Sequence, residues 1–187
     1  MRRMAADAQL MTADELLLLP SGRWRYEIVR GELRRMSPSG HTHGKVAMRV
    51  GARLAAFVEA QGLGEAYAAE TGFILQRSPD TVLAPDAAFV TTETLRATSL
   101  TDRGYFPGAP TLAVEVISPD ENRREVAAKV AQWIAAGTHA VVVLNPRTSV
   151  ATVHRPNAEV VTLGVTDCLS LPDLLPGWSL ALNEIFR

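Results

Sequence analysis

Between His43 and Gln61 the apolar residues Val46, Val50, Leu54, Phe57 and Val58 recur at three- and four-residue steps, and Gly62 follows. That period predicts an amphipathic helix ended by its glycine. A different pattern governs "TLAVEVIS" (111–118) and "HAVVVLNP" (139–146), where apolar residues are nearly continuous. Such runs predict strands covered on both faces. The segment between them, Pro119 to Ala136, has helical periodicity, and Ser118 and Glu121 around Pro119 form a capping-box pattern at its start. Strand, helix and strand then form one crossover unit with parallel strands.

Shorter elements surround this unit. Thr12 and Glu15 predict a capped helix ending at Pro20 and Ser21, and "RYEIVRGELRRM" predicts a hairpin turning at Arg30-Gly31. "GEAYAAETGFILQR" and "VLAPDAAFVT" are strand-like, separated by Ser78-Pro79-Asp80. "SVATVHRP" and "AEVVTLG" predict another hairpin, and a Pro-rich tail is expected to cap the core. There is no internal repeat. The expected fold class is α/β (α+β), a mixed sheet flanked by helices, in one domain over residues 1–187 with residues 1–11 as a disordered extension.

Composition adds limits rather than a function. The 187-residue chain is 47% hydrophobic and 21% charged, enough for one ordinary core. A formal net charge of −1 removes the global basic field that steers many nucleic-acid binders. Local contact is still open to Arg30, Arg34 and Arg35 and to Arg123 and Arg124, although such clusters are commonly solvated faces. Cys168 is the single cysteine, which fits a reducing compartment and supplies no motif for a catalytic thiol. Acids at Asp7, Asp14 and Glu15 interrupt the N-terminus before any signal-like apolar run, so a cytoplasmic protein is expected, with Met4 and Met11 as alternative starts. No phosphate-binding Gly-rich loop, nucleophile elbow or zinc-ligand cluster is present; His41 and His43 alone do not make a zinc site, and helix capping or loop hydrogen bonding suits them better.

The acids within apolar runs carry more information. Glu115 lies between Val114 and Val116, in a strand that is apolar on both parities. A carboxylate there must be paired, protonated or metal-bound, because an isolated buried charge costs several kcal/mol. Asp86 sits similarly, after Pro85 and before "AAFV". Two carboxylates on adjacent strands can converge on a hard divalent cation. The alternative, with Asp86 capping a turn and Glu115 paired to an arginine, stays open on spacing alone.

Lys129 favours the first reading. Glu115 lies roughly 10 Å down its strand from the turn. Lys129 lies roughly 15 Å back along the helix, or about 10 Å if the helix begins at Asn122. It also borders the apolar stripe of Val126, Val130, Trp133 and Ile134, so its stem can lie on that surface and aim the ammonium at the sheet.

These residues carry a resemblance. "APDAAFV" followed by "PTLAVEVISPDENRREVAAKVAQWIAAGTHAVVVLNP" resembles the Uma-two family of restriction-endonuclease-like proteins, within the PD-(D/E)XK nuclease superfamily. The likeness extends from about Thr12 to the C-terminus, through "YEIVRGEL" and "SPSGHTHGKV". It implies a restriction-endonuclease-like fold, with Asp86 and Glu115 as ligands of Mg²⁺ (or Mn²⁺) and hydrolysis of DNA. Where the superfamily places its lysine two residues after the second acid, this chain has Ile117. The resemblance assigns that lysine's role to Lys129 on the following helix. It also matches Glu27 to an acid supplied by an N-terminal element and His43 to a histidine of the family pattern; an exposed hairpin acid remains the alternative for Glu27. Glu70 is a weaker candidate of the same kind. Asn145-Pro146 departs from the family's Asp-Pro and is expected to be structural. Cutting both strands of a duplex would make a homodimer natural. Two other classes compete: a catalytically silent nuclease-like module that binds nucleic acid or partner proteins, and a hydrolase using paired carboxylates as general acid and base.

Overall fold

The computed structural model describes residues 10–20 and 24–187. The extension expected over residues 1–11 lies outside the described residues up to residue 9, as do Met4 and the helix-ending Ser21. Leu10 and Met11 are placed: the Met11 amide donates to the Gly31 carbonyl at 2.9 Å. The elements, in chain order, are α1 (Ala13–Leu17), β1 (Arg25–Val29), β2 (Glu32–Met36), α2 (His41–Gln61), β3 (Gly64–Ala68), β4 (Phe73–Gln76), β5 (Thr81–Leu83) and β6 (Ala87–Thr91). They continue with α3 (Thr92–Ala97), β7 (Phe106–Pro107), β8 (Leu112–Val116), α4 (Arg123–Ala135), β9 (Ala140–Asn145), β10 (Val150–His154), β11 (Val161–Leu163), β12 (Cys168–Ser170), β13 (Ser179–Ala181) and α5 (Leu182–Phe186).

The strands divide over two main sheets, where one had been expected. One runs β2-β1-β5-β4-β7, the other β11-β10-β9-β8-β6-β3, and β12 pairs with β13 apart from both. β8 and β9 are parallel in register Glu115↔Val143, as the crossover unit required. The two long strand-like stretches are each broken in the middle. Glu70, with a positive φ of 75°, separates β3 from β4, and Pro85 with Asp86 separates β5 from β6. The two inner strands, β4 and β5, pair with each other in the first sheet; the outer two, β3 and β6, pair in the second. The hairpin turn is as read, with Arg30 and Gly31 at positive φ of 51° and 80°. Both central residues of a type I′ turn need that sign.

Strand alternation decides what each face buries. Leu112, Val114 and Val116 of β8 join Val46, Val50, Leu54 and Val58 of α2 in one core, closed from the C-terminus by Leu169, Leu175, Trp178 and Ile185. The tail therefore caps the core as expected. The opposite parity, with Ala113, Val141 and Val143, meets Phe73, Leu83 and Phe106 of the first sheet and Val130 and Trp133 of α4. Glu115 has this second parity, so the fold carries its carboxylate toward α4.

That helix starts at the later of the two positions the sequence allows. Its N-cap is Asn122, whose side chain accepts from the Arg124 and Glu125 amides while Glu125 reaches back to the Asn122 amide. Ser118 to Glu121 form a separate turn, in which the Glu121 carboxylate accepts from the Ser118 amide at 2.7 Å. Among the described residues no helix is long and apolar enough to cross a membrane.

Candidate active site

Three side chains nominated in the sequence meet at one point, and a fourth, Asp86, lies near enough for its charge to act on them. Lys129, from the middle of α4, places Nζ 3.0 Å from Oε2 of Glu115 and 3.2 Å from Oε1 of Glu27. The Glu27 oxygen also accepts from the Ala84 amide at 3.0 Å, which ties β1 to the end of β5. Glu27 is therefore no exposed hairpin acid; it is 5% exposed. Asp86 stands immediately before β6, opposite the end of β8. Its Oδ2 accepts from the Val116 amide at 2.8 Å and lies 3.1 Å from Nε2 of His43 in the first turn of α2. Asp86 therefore does more than cap its turn, and the partner of Glu115 is Lys129 rather than an arginine.

Two participants were undervalued in the sequence. His43, read as a capping or loop residue, is buried against Asp86; its match to the family pattern was the signal. Trp133 had been counted only in the apolar stripe, yet its Nε1 donates to Glu115 Oε1 at 2.8 Å. Nothing local distinguishes a core tryptophan from one that serves a carboxylate. Three other nominees lie elsewhere. Glu70 is exposed and paired with Arg25 at 3.2 Å. His41 is exposed and bonded to Thr42. Asn145 accepts from the Arg147 and Thr148 amides in the β9–β10 turn, a structural role as expected.

Burial sets the electrostatics. It pushes the Glu115 carboxyl up to about 7; Lys129 and the Trp133 hydrogen bond oppose that, while the charges of Asp86 and Glu27 add to it. Burial disfavours the Lys129 ammonium, but Glu115 and Glu27 outweigh it and hold its pKa above the ordinary lysine value. For His43 burial again works against the charge, and the Asp86 hydrogen bond and charge more than offset it, raising the pKa.

Three carboxylates thus stand with the Lys129 ammonium and the His43 imidazole, and once His43 is neutral they outnumber the positive charge, an imbalance that a divalent cation with a preference for oxygen would correct. Among the described residues no three His, Cys, Asp or Glu side chains gather as a ready metal cage. A cation here would be held by few protein ligands, Asp86 and Glu115 first, with water completing its shell, and Mg²⁺ is commonly held that way. Oxygen donors of this kind suit a hard cation in their chemistry.

Two concavities lie beside this cluster. A groove of about 990 Å³ between α4 and β10 includes His43, Val126, Val130 and Val143 in its lining. A smaller one, of about 590 Å³, includes in its lining Ala84, whose carbonyl lies 3.5 Å from Lys129 Nζ.

The family model described as "Putative restriction endonuclease" (Uma2) matches residues 13–183. The chain belongs to the Uma-two family. A solved structure described as that of a putative nuclease from Anabaena variabilis superposes with a TM-score of 0.78 at 20% identity, covering 94% of this chain and 97% of the other. At that identity the likeness speaks to fold alone, and the mixed α/β architecture with helix-flanked sheets is a nuclease-like one. No curated protein matches the chain. Family membership supports a nuclease in general terms.

Trp133 tests the local part of this site. Trp133→Phe keeps most of the ring volume but leaves Glu115 Oε1 without its donor, so a loss of about 1–3 kcal/mol is expected by urea denaturation. A stability unchanged within error would show that the indole is only filler.

Proposed function

We propose that this Uma-two family member is a metal-dependent endonuclease that hydrolyses DNA phosphodiester bonds. The observation that carries the reading is Lys129 Nζ within 3.0 Å and 3.2 Å of two buried carboxylates drawn from different sheets. A lysine delivered from α4 stands where Ile117 could not serve. Family membership supports a nucleic-acid substrate.

In this reading Asp86 and Glu115 hold the cation and Lys129 directs its ammonium at the attacking water or a phosphate oxygen, where developing charge is stabilised by preorganised donors. Glu27 fixes Lys129 from the far side and keeps it protonated. His43 and the Val116 amide fix one oxygen of Asp86. Mg²⁺, or Mn²⁺ in its place, would supply a bound water of lowered pKa and a counter-charge for the phosphate. One site per chain and two strands per duplex make a homodimer the natural assembly.

The test is cleavage of supercoiled, linear and single-stranded DNA with Mg²⁺ or Mn²⁺, with Asp86→Ala and Lys129→Ala beside the parent. The parent is expected to cut, and each variant to lose about 10²–10³-fold or more of the rate, the scale for removing one charge-stabilising group. A parent that binds DNA without cutting it under any of these conditions would leave the silent binding module as the better description. Equal rates in all three proteins would remove Asp86 and Lys129 from the mechanism.

A further inference from the structure

The smaller concavity is built differently from an ordinary surface dimple. Trp24, just before β1, is 40% exposed and carries the Arg35 guanidinium 4.2 Å from the centroid of its ring. Tyr26 and Tyr105 line the same cavity, as do Arg25 and the Glu70 carboxylate paired with it at 3.2 Å. Tyr105 lies so close over Gly72 that a Cβ there would sit 2.2 Å from the tyrosine ring, so only glycine admits this placement of the wall. Ala84 also lines it and touches Glu27 through its amide and Lys129 through its carbonyl.

Aromatic faces with interleaved guanidinium groups suit one ligand chemistry. Unpaired bases stack on such rings, and arginines meet the flanking phosphates, with little regard to sequence. A base inside a duplex stack offers no free face to Trp24. From the geometry we infer that this cavity is a stacking subsite for an unpaired nucleobase of the substrate strand, next to the position where that strand would be cut. The inference rests on the nucleic-acid reading above and extends it to strand preference, which would favour single-stranded or opened segments.

Tryptophan fluorescence makes the test direct, because Trp133 and Trp178 are 0% and 5% exposed, which leaves Trp24 as the accessible reporter. The full chain is titrated in EDTA, so that nothing is cut, with a single-stranded DNA, a single-stranded RNA and a blunt DNA duplex of one sequence. The single strands should shield Trp24 from iodide and bind more tightly than the duplex. Because variants at Trp24 lack its signal, their binding is read by the anisotropy of end-labelled oligonucleotides: Trp24→Ala should weaken single-strand binding by about 5- to 140-fold, the loss of one base–aromatic stack, and Trp24→Phe should restore much of it.

Single-strand binding unchanged in Trp24→Ala overturns the subsite. If the parent still cuts DNA in that case, the nuclease reading stands without it. A parent that neither binds nor cuts nucleic acid overturns both. Shielding of Trp24 that follows protein concentration with no oligonucleotide added would assign this face to a second copy instead.

Discussion

Lys129→Met should lower the unfolding free energy by about 3–5 kcal/mol at pH 8 without divalent cations, the cost of removing one partner from a buried charge pair. The reason is numerical. Glu27 and Glu115 lie 3.2 Å and 3.0 Å from the ammonium, and Asp86 adds a third negative charge nearby. Met keeps the stem's packing against α4 and takes away only the charge, so cavity formation contributes little. The loss should shrink at pH 5, where the carboxyls can answer by taking protons. It should also shrink in Lys129→Met with Glu27→Gln and Glu115→Gln, because the uncompensated charges have gone. Urea denaturation at both pH values measures this. A loss below about 1 kcal/mol at pH 8, the scale of an exposed ion pair, would mean that the cluster is more hydrated than its burial indicates.

The second large effect is a stability that falls as pH rises. Glu115 has its folded pKa raised from 4.5 to about 7. Between those values the folded protein binds more protons than the unfolded chain, so unfolding becomes easier with rising pH. The metal-free protein should lose on the order of 3 kcal/mol from this group between pH 4.5 and pH 7. His43, also raised, acts with the same sign: its contribution is present below the unfolded value of 6.5 and lost as pH passes the folded one. The part due to Glu115 is therefore the difference between the parent and Glu115→Gln, whose stability should be flatter across the window. Mg²⁺ should reverse the trend at pH 8, by about 2.7 kcal/mol at a hundred times its dissociation constant. A parent and variant with parallel pH profiles, or a parent indifferent to Mg²⁺ and Mn²⁺, would remove the charge imbalance as the basis for a cation site.

What was legible in the chain was short in range. The helix over α2 follows from apolar residues three and four apart, and its αL end from Gly62. The Arg30-Gly31 turn and the Thr12/Glu15 capping box each depend on neighbours within three positions. The sequence favours Pro119 as the start of α4 and keeps Asn122 as the alternative, because two capping patterns follow one another, Ser118 with Glu121 and then Asn122 with Glu125. Long-range contacts chose between them: the Ile117 amide is held by the Leu144 carbonyl and the Pro119 carbonyl by Arg147, which keeps the chain off the helical path until Asn122.

The sequence by itself determined that Glu115 must be paired, protonated or metal-bound, since a bare carboxylate between valines in a doubly covered strand cannot be left alone, and reach along the helix pointed to Lys129. Only the tertiary structure decided that Glu27 is buried rather than exposed on its hairpin, that His43 grips Asp86, and that Trp133 serves Glu115. The physical reason is range. Periodicity and capping are written in residues a turn apart, whereas Glu27, His43, Asp86, Glu115 and Lys129 come from β1, α2, the start of β6, β8 and α4, and meet only once two sheets have paired and packed.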